Sequence, residues 1–196
     1  MTTGFTRHRR SKRIIATFTG FEADLLRSLA AQLVELLRNE AAVPRDDTDP
    51  FEAMMDFSGP ETEPEDPVLA RLFPTAYPGD PEASAEFRRF TEGGLRDGKA
   101  NAAIAIIDGL EEAGLPSELK EEGLMIDVEL TEPEAETWMR SFTDLRLALA
   151  TRLGVEEGDE DVWDAMPDDD PRARAHDIYN WVGYLQETLV RALSSR

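Results

Sequence analysis

The chain has 196 residues, 41% of them apolar, and a formal net charge of −20 from 41 acidic and 21 basic side chains. This composition describes a globular protein with enough apolar surface for one core, and its acidity sets the body of the molecule against phosphate backbones. It contains no cysteine, which excludes disulfides, thiolate metal sites, iron–sulfur clusters and a thiol switch of its own.

The first 12 residues carry Arg7, Arg9, Arg10 and Lys12 and read as a flexible basic arm. It is the one part of the chain expected to reach nucleic acid or an acidic partner. Direct DNA binding is not expected elsewhere. No apolar run is long enough for a signal peptide or a membrane helix, so a soluble protein of the cytoplasm is expected, without membrane contact. Residues 13–196 are expected to form a single domain, with acidic loops near residues 44–66 and 155–170.

Arg13–Phe18 (RIIATF) is short, β-branched and aromatic, as a strand is. Thr19-Gly20-Phe21-Glu22 has capping-box spacing. Leu25, Leu26, Leu29, Leu33, Leu36 and Leu37 then recur at helical spacing to about Asn39. Phe51–Phe57 is a short helix candidate and Ser58–Pro67 an exposed acidic loop. Pro67–Phe73 and Pro81–Phe90 read as helices with proline in the first turn. The pair Gly93-Gly94 reads as a hinge or break, after which Leu95–Leu110 resumes as helix until Gly114. Leu124–Leu130 (LMIDVEL) predicts a second strand. Thr131–Glu134 is another capping box, and Trp138, Phe142, Leu145, Leu149 and Leu153 form a helical stripe that stops at Gly154. Thr19 aligned with Thr131 gives a strand–cap–helix pseudo-repeat, although caps and leucine stripes recur by chance as readily. Paired, the two strands would make a ribbon on which both helices pack. An acidic loop with one turn around Val162–Met166 leads to a last helix, Pro171–Leu193, capped by Asp170. The fold class is mainly α with minor β: a compact helical domain with two short strands, each leading into a long helix.

No nucleotide-binding, nucleophile-elbow or zinc-protease motif occurs. On the last helix His176, Asn180, Tyr184 and Glu187 share a face, but one histidine and a carboxylate do not fill a metal site, and the acidic runs lack a calcium-loop pattern. These side chains read as helix-face polar groups or members of a hydrogen-bond network. Arg88, Arg89, Arg96 and Lys99 could clamp an anion, with an internal salt bridge to Glu92 the favoured fate for Arg88. Trp138 and Trp181 lie on apolar stripes. Trp163, in an acidic loop, either folds back as an anchor or presents an aromatic ring to a partner.

The blocks EDPVLARLFPTAY, DPEASAEFRRFTEGGLR, TDLRLALATRLGV and PDDDPRARAHDIYNWVGYLQETLVRAL, with the opening GFEADLLRSLAAQLVELL, resemble the AosR-like family of actinobacterial proteins across nearly the whole chain. The resemblance implies a role in oxidative-stress transcription, exercised through a redox-active cysteine pair and contact with a sigma factor, from genes that tend to lie near a protease-adaptor gene. The cysteine pair has no counterpart here, and the family offers no catalytic motif to carry over. The expectation is a non-enzymatic regulatory or adaptor protein without cofactor or metal, whose acidic body meets a basic region of a sigma factor or RNA polymerase. The alternative is a small-ligand-binding protein or enzyme with a polar pocket around Arg88, Arg89 and His176. A homodimer through a long helix is compatible with either. Arg88, Arg89, Arg96, Trp163 and His176 are the expected contact residues. An exposed apolar patch with acidic neighbours would favour the regulator, and a pocket gathering those polar residues the alternative.

Overall fold

A computed structural model describes residues 3–39, 59–119, 123–159, 162, 163, 165–167 and 169–195. Its elements in chain order are β1 (Thr3–Arg7), β2 (Ile14–Thr19), α1 (Gly20–Asn39), α2 (Pro67–Leu72), α3 (Pro81–Glu112), β3 (Met125–Leu130), α4 (Glu132–Leu153) and α5 (Pro171–Ser194). The fold is mainly α with a three-stranded antiparallel sheet, ordered β1-β2-β3. The helix candidate at 51–57 lies outside the described residues. No helix among the described residues is long and apolar enough to cross a membrane.

The expected ribbon is present: Ile14 pairs with Leu130 and the register continues to Thr19 opposite Met125. Strict alternation puts Ile126, Val128 and Leu130 in the core, with Met125, Asp127 and Glu129 exposed, as a sheet with one wet face requires. Both capping boxes close. The Thr19 amide donates to Glu22 Oε2 at 2.8 Å while the Glu22 amide donates to Thr19 Oγ1 at 3.2 Å. The Thr131 amide donates to Glu134 Oε2 at 2.6 Å, with the Glu134 amide returning to Thr131 Oγ1 at 3.4 Å. Gly154 ends α4 in the left-handed conformation (φ 71°), where glycine carries no Cβ penalty.

Two expectations are corrected. Residues 3–7 of the supposed flexible arm are a strand, so the sheet has three strands rather than two. Phe5 supplies the reason: it is buried and meets Phe18 and Trp138 edge-on, at 6.0 and 6.1 Å between ring centroids. Gly4 lets β1 approach α5, since a Cβ there would lie 2.6 Å from Thr188. The second correction concerns Gly93-Gly94, where no break occurs: α3 is one helix of 32 residues. The glycines face solvent, and a Cβ on either would meet nothing within 4 Å. A charged ladder on the opposite, buried face holds the helix across them.

The core lies between the inner face of the sheet and α1, α3, α4 and α5, with Trp138, Phe142, Leu26, Ile106 and Leu185 among its fully buried members. Gly109 admits Trp138 against α3, because a Cβ there would stand 2.8 Å from the indole. The indole Nε1 then donates to the Ala105 carbonyl at 3.1 Å, which satisfies the one polar atom of the largest core side chain.

Candidate functional site

The five contact residues expected from the sequence separate into three places. Arg88 and Arg96 lie in the core. Arg88, Glu92 and Arg96 are spaced one turn apart on the buried face of α3 and are 7%, 2% and 6% exposed. Arg88 Nη1 donates to Glu92 Oε2 at 2.6 Å, and Arg96 Nε donates to Glu92 Oε1 at 2.8 Å. Further donors of both guanidinium groups reach backbone carbonyls. Arg88 Nη2 donates to the Phe73 carbonyl at the end of α2 (3.1 Å), and Arg96 Nη1 to the Leu37 carbonyl in the last turn of α1 (3.3 Å). Both carbonyls sit at helix C-termini, where orphan acceptors and the negative end of the helix dipole favour a cation. Arg96 also lies over the Phe73 ring, 4.8 Å from its centroid. The internal ion pair expected for Arg88 is present, and these arginines tie three helices together instead of opening to a ligand.

Arg89 points outward with its side chain 44% exposed, 3.7 Å from Glu61 and 5.6 Å from the centre of the Phe90 ring. Phe90 belongs to a ridge on the outer face of α3. Phe87, Phe90 and Leu95 are 42%, 71% and 49% exposed, with Gly94 and Gly98 on the same face. Tyr77 packs edge-on against Phe87 at 5.8 Å, and exposed Glu86 and Asp97 flank the ridge. Isolated exposed apolar residues are ordinary; here two aromatic rings, Phe87 and Phe90, lie exposed near one another on α3.

Trp163 and His176 meet. Their rings stack at 4.5 Å and 9°, and Tyr179 continues the stack at 5.9 Å from His176. Trp163 is buried, and its Nε1 donates to Asp159 Oδ2 at 2.7 Å. The Glu156 amide and then the Trp163 indole hold the Asp159 carboxyl below its usual range. Of the two roles open to Trp163, the fold-back anchor is what the geometry contains. Beneath the stack Arg146 lies over Tyr179 at 5.2 Å and donates to Gln186 Oε1 at 2.9 Å. A groove of about 630 Å³ runs here, lined by Arg71, Arg146, Asp159, Trp163, His176 and Asn180 among others. Arg88 and Arg89 do not line it, so the pocket expected around Arg88, Arg89 and His176 is not assembled. On the rest of the His176 face, Asn180 Nδ2 lies 3.3 Å from His176 Nδ1, Tyr184 accepts the Gly4 amide at 3.2 Å, and Glu187 pairs with Arg191. No group of three histidine or acidic side chains suited to a metal occurs among the described residues.

The basic N-terminus is partly spent internally as well. Arg7 is bonded to Glu132 at 2.6 Å with its side chain only 14% exposed, and Arg13 lies 3.6 Å from Glu129. Sequence reasoning did not reach Arg146, Tyr179 or Asp159. The only local signal was an aspartate four residues before Trp163, in register for an indole bond across one turn.

The chain belongs to the family described as a domain of unknown function, DUF2017, which it matches over residues 2–193. Among its relatives is the protein named "Oxidative stress regulator AosR" of Mycobacterium tuberculosis (strain ATCC 25618 / H37Rv), 31% identical over 190 residues, covering 88% of this chain and 78% of the relative. The "Putative oxidative stress regulator AosR" of Mycobacterium leprae (strain TN) is 32% identical over 186 residues with the same coverage. The AosR-like resemblance read from the sequence blocks therefore stands. No solved structure matches.

Proposed function

We propose that this chain is a non-enzymatic cytoplasmic regulator that acts by protein contact, with a basic region of a sigma factor or of RNA polymerase as its partner. The names of its relatives support a regulatory role in oxidative stress. The observation that carries the contact mechanism is the ridge of Phe87, Phe90 and Leu95, exposed on α3 beside Glu86 and Asp97, with Arg89 over the Phe90 ring. A helix presenting aromatic anchors on a molecule of net charge −20 is suited to a groove with a basic rim: the anchors supply affinity and the overall charge supplies rate and register. The arginines that could have served a polar active site, Arg88 and Arg96, are instead bonded within the core. Since the chain has no cysteine, its partner binding is read as independent of any thiol of its own.

The test is a tagged pull-down from its native cytoplasm at low and high salt, comparing the natural chain with a Phe87→Ser/Phe90→Ser variant. Recovery of a sigma factor or polymerase subunits that weakens with salt, is lost in the variant and is unchanged by peroxide is the expected result. Recovery of the bait alone in replicate experiments, or equal recovery by the variant, defeats the reading.

A further inference from the structure

The two edges of the sheet differ in kind. At β1 two amides are taken by α5: the Gly4 amide donates to the Tyr184 hydroxyl at 3.2 Å and the Phe5 amide to Thr188 Oγ1 at 3.1 Å. At β3 no described residue pairs with the outer side. The phase of the ladder says which groups are left. The Gly20 amide donates to the Leu124 carbonyl at 2.7 Å, and in an antiparallel pair bonded positions alternate. Ile126, Val128 and Leu130, opposite Phe18, Ala16 and Ile14, therefore turn their N–H and C=O groups to β2. Met125, Asp127 and Glu129 turn theirs outward.

Beside this edge runs a groove of about 540 Å³ between β3, the last turns of α3 and the start of α4. The nearly buried Val128, Leu130 and Trp138 form its apolar floor, Asp108 and Glu112 of α3 and the capping Glu134 of α4 border it, and Asp127 and Glu129 stand at its β3 side with their side chains on the exposed face of the sheet. Asp108 and Glu112, one turn apart on α3, form no ion pair among the described residues. Asp127 accepts a bond from Thr17 at 2.7 Å, and the nearest cation to Glu129 is Arg13 at 3.6 Å.

We propose that the outer edge of β3 is a docking site for an extended basic protein segment, which joins the sheet as a fourth strand. The open N–H and C=O groups give it main-chain bonds, and the pleat sets its pattern. Side chains flanking Val128 and Leu130 face the groove and are apolar; those flanking Asp127 and Glu129 face solvent and are Lys or Arg. The outward groups from Met125 to Glu129 match a segment of about five residues at ~3.3 Å each. Charges on an exposed edge ordinarily keep neutral strands away; the same carboxylates receive a cationic one. A second copy of this chain is the wrong occupant, because it would set Asp127 and Glu129 against acidic neighbours in a molecule of net charge −20, and like charges across a strand pair destabilise it. The proposal stands on the sheet edge and is separate from the α3 ridge.

The experiment titrates the full isotope-labelled chain with a blocked hexapeptide of alternating lysine and valine, followed by amide NMR and hydrogen exchange, with alternating glutamate and valine as the control. The lysine peptide is expected to shift the amides of β3 and of Asp108 and Glu112. It should slow exchange at Asp127 and Glu129 by about tenfold while leaving Ile126 and Val128 unchanged, and should bind more weakly as salt rises. An Asp108→Lys/Glu112→Lys variant, altered only on an exposed helix face and checked by circular dichroism, should lose the effect. Asp127→Pro, which removes an outward amide, should lose the protection too. Equal binding of the two peptides, shifts confined to the Phe87–Phe90 ridge, an undiminished effect in the α3 variant, or no shift at millimolar peptide would each overturn the proposal.

Discussion

Glu92 is the residue whose removal should be felt most sharply. Its carboxylate bridges Arg88 and Arg96, and all three side chains are nearly inaccessible. Glu92→Ala leaves two buried guanidinium groups with a void where their shared anion stood. Breaking a buried pair by removing one partner costs about 3–5 kcal/mol, because the survivors remain desolvated and lose their compensation. For a chain of this size each kcal/mol shifts the melting temperature by roughly 2–4 °C, so a drop of about 6–20 °C is expected. The carbonyls of Phe73 and Leu37 dilute the penalty without removing it, since they balance partial charge only. Urea unfolding followed by far-ultraviolet circular dichroism measures the loss, with Glu187→Ala as a reference. That substitution breaks an exposed helix pair with Arg191 and should cost no more than about 0.5 kcal/mol. Replacing all three side chains with Met, Leu and Met should recover part of the Glu92→Ala loss. A Glu92→Ala loss below about 1 kcal/mol, or no larger than that of Glu187→Ala, would show that the ladder does not hold the three helices together.

The glycines of α3 give a signed pair of expectations. Gly93→Ala and Gly94→Ala, with open space around each added methyl, should each stabilise by about 0.5–1 kcal/mol, whereas Gly109→Ala should destabilise because its Cβ would press on Trp138 at 2.8 Å; thermal melts of the three variants that failed to differ in sign would refute the continuous helix. The second capping box should lend the protein an acid-sensitive contribution. Glu134 is held below its usual range by the Thr131 amide first and the Thr131 hydroxyl second. A lowered folded-state pKa means stability that is present above the unfolded value and lost as pH falls through the folded one. Glu134→Gln should therefore flatten the stability profile just below the ordinary glutamate range and leave its slope at neutral pH unchanged, read from urea midpoints across pH. Thr131→Ala should cost about 1 kcal/mol at neutral pH.

What could be read in the sequence was what short stretches decide. Thr19 and Glu22, Thr131 and Glu134, Asp170 before Pro171, and the glycine after Leu153 announce helix ends through bonds made within one turn. The period-two pattern of MIDVEL marked β3 and its buried face. What escaped depended on distant partners. TGFTR offers one apolar side chain, and the partners of its strand are distant: Phe5 packs on Phe18 and Trp138, and Tyr184 and Thr188, some 180 positions away, receive two of its amides. Gly93-Gly94 reads as a break to any rule that weighs backbone freedom alone. The continuous helix follows from Arg88, Glu92 and Arg96, and a charged triplet gives no hint in sequence that its face is buried. The separation of Arg88 from His176 likewise had no local signal. The stacking of Trp163 on His176, 13 positions further along the chain, had no local signal either.

The ladder also bears on how the surface can work. With α3 stapled across its glycines, the aromatic ridge in its first half and the acidic groove at its last turns are held on one rod. Phe90 and Asp108 are 18 positions apart, about 27 Å along a helix at ~1.5 Å per residue. One partner using both surfaces needs an extended stretch of at least about eight residues between its anchor pocket and its basic strand, at ~3.3 Å each. A shorter link cannot engage both, and the gain from linkage then vanishes. The two surfaces should therefore bind short probes independently, and a single longer segment should gain affinity only once its spacer passes that length. Loosening the rod by Glu92→Ala should weaken that gain more than it weakens either site alone, because linkage depends on the fixed distance while each site depends on its own side chains.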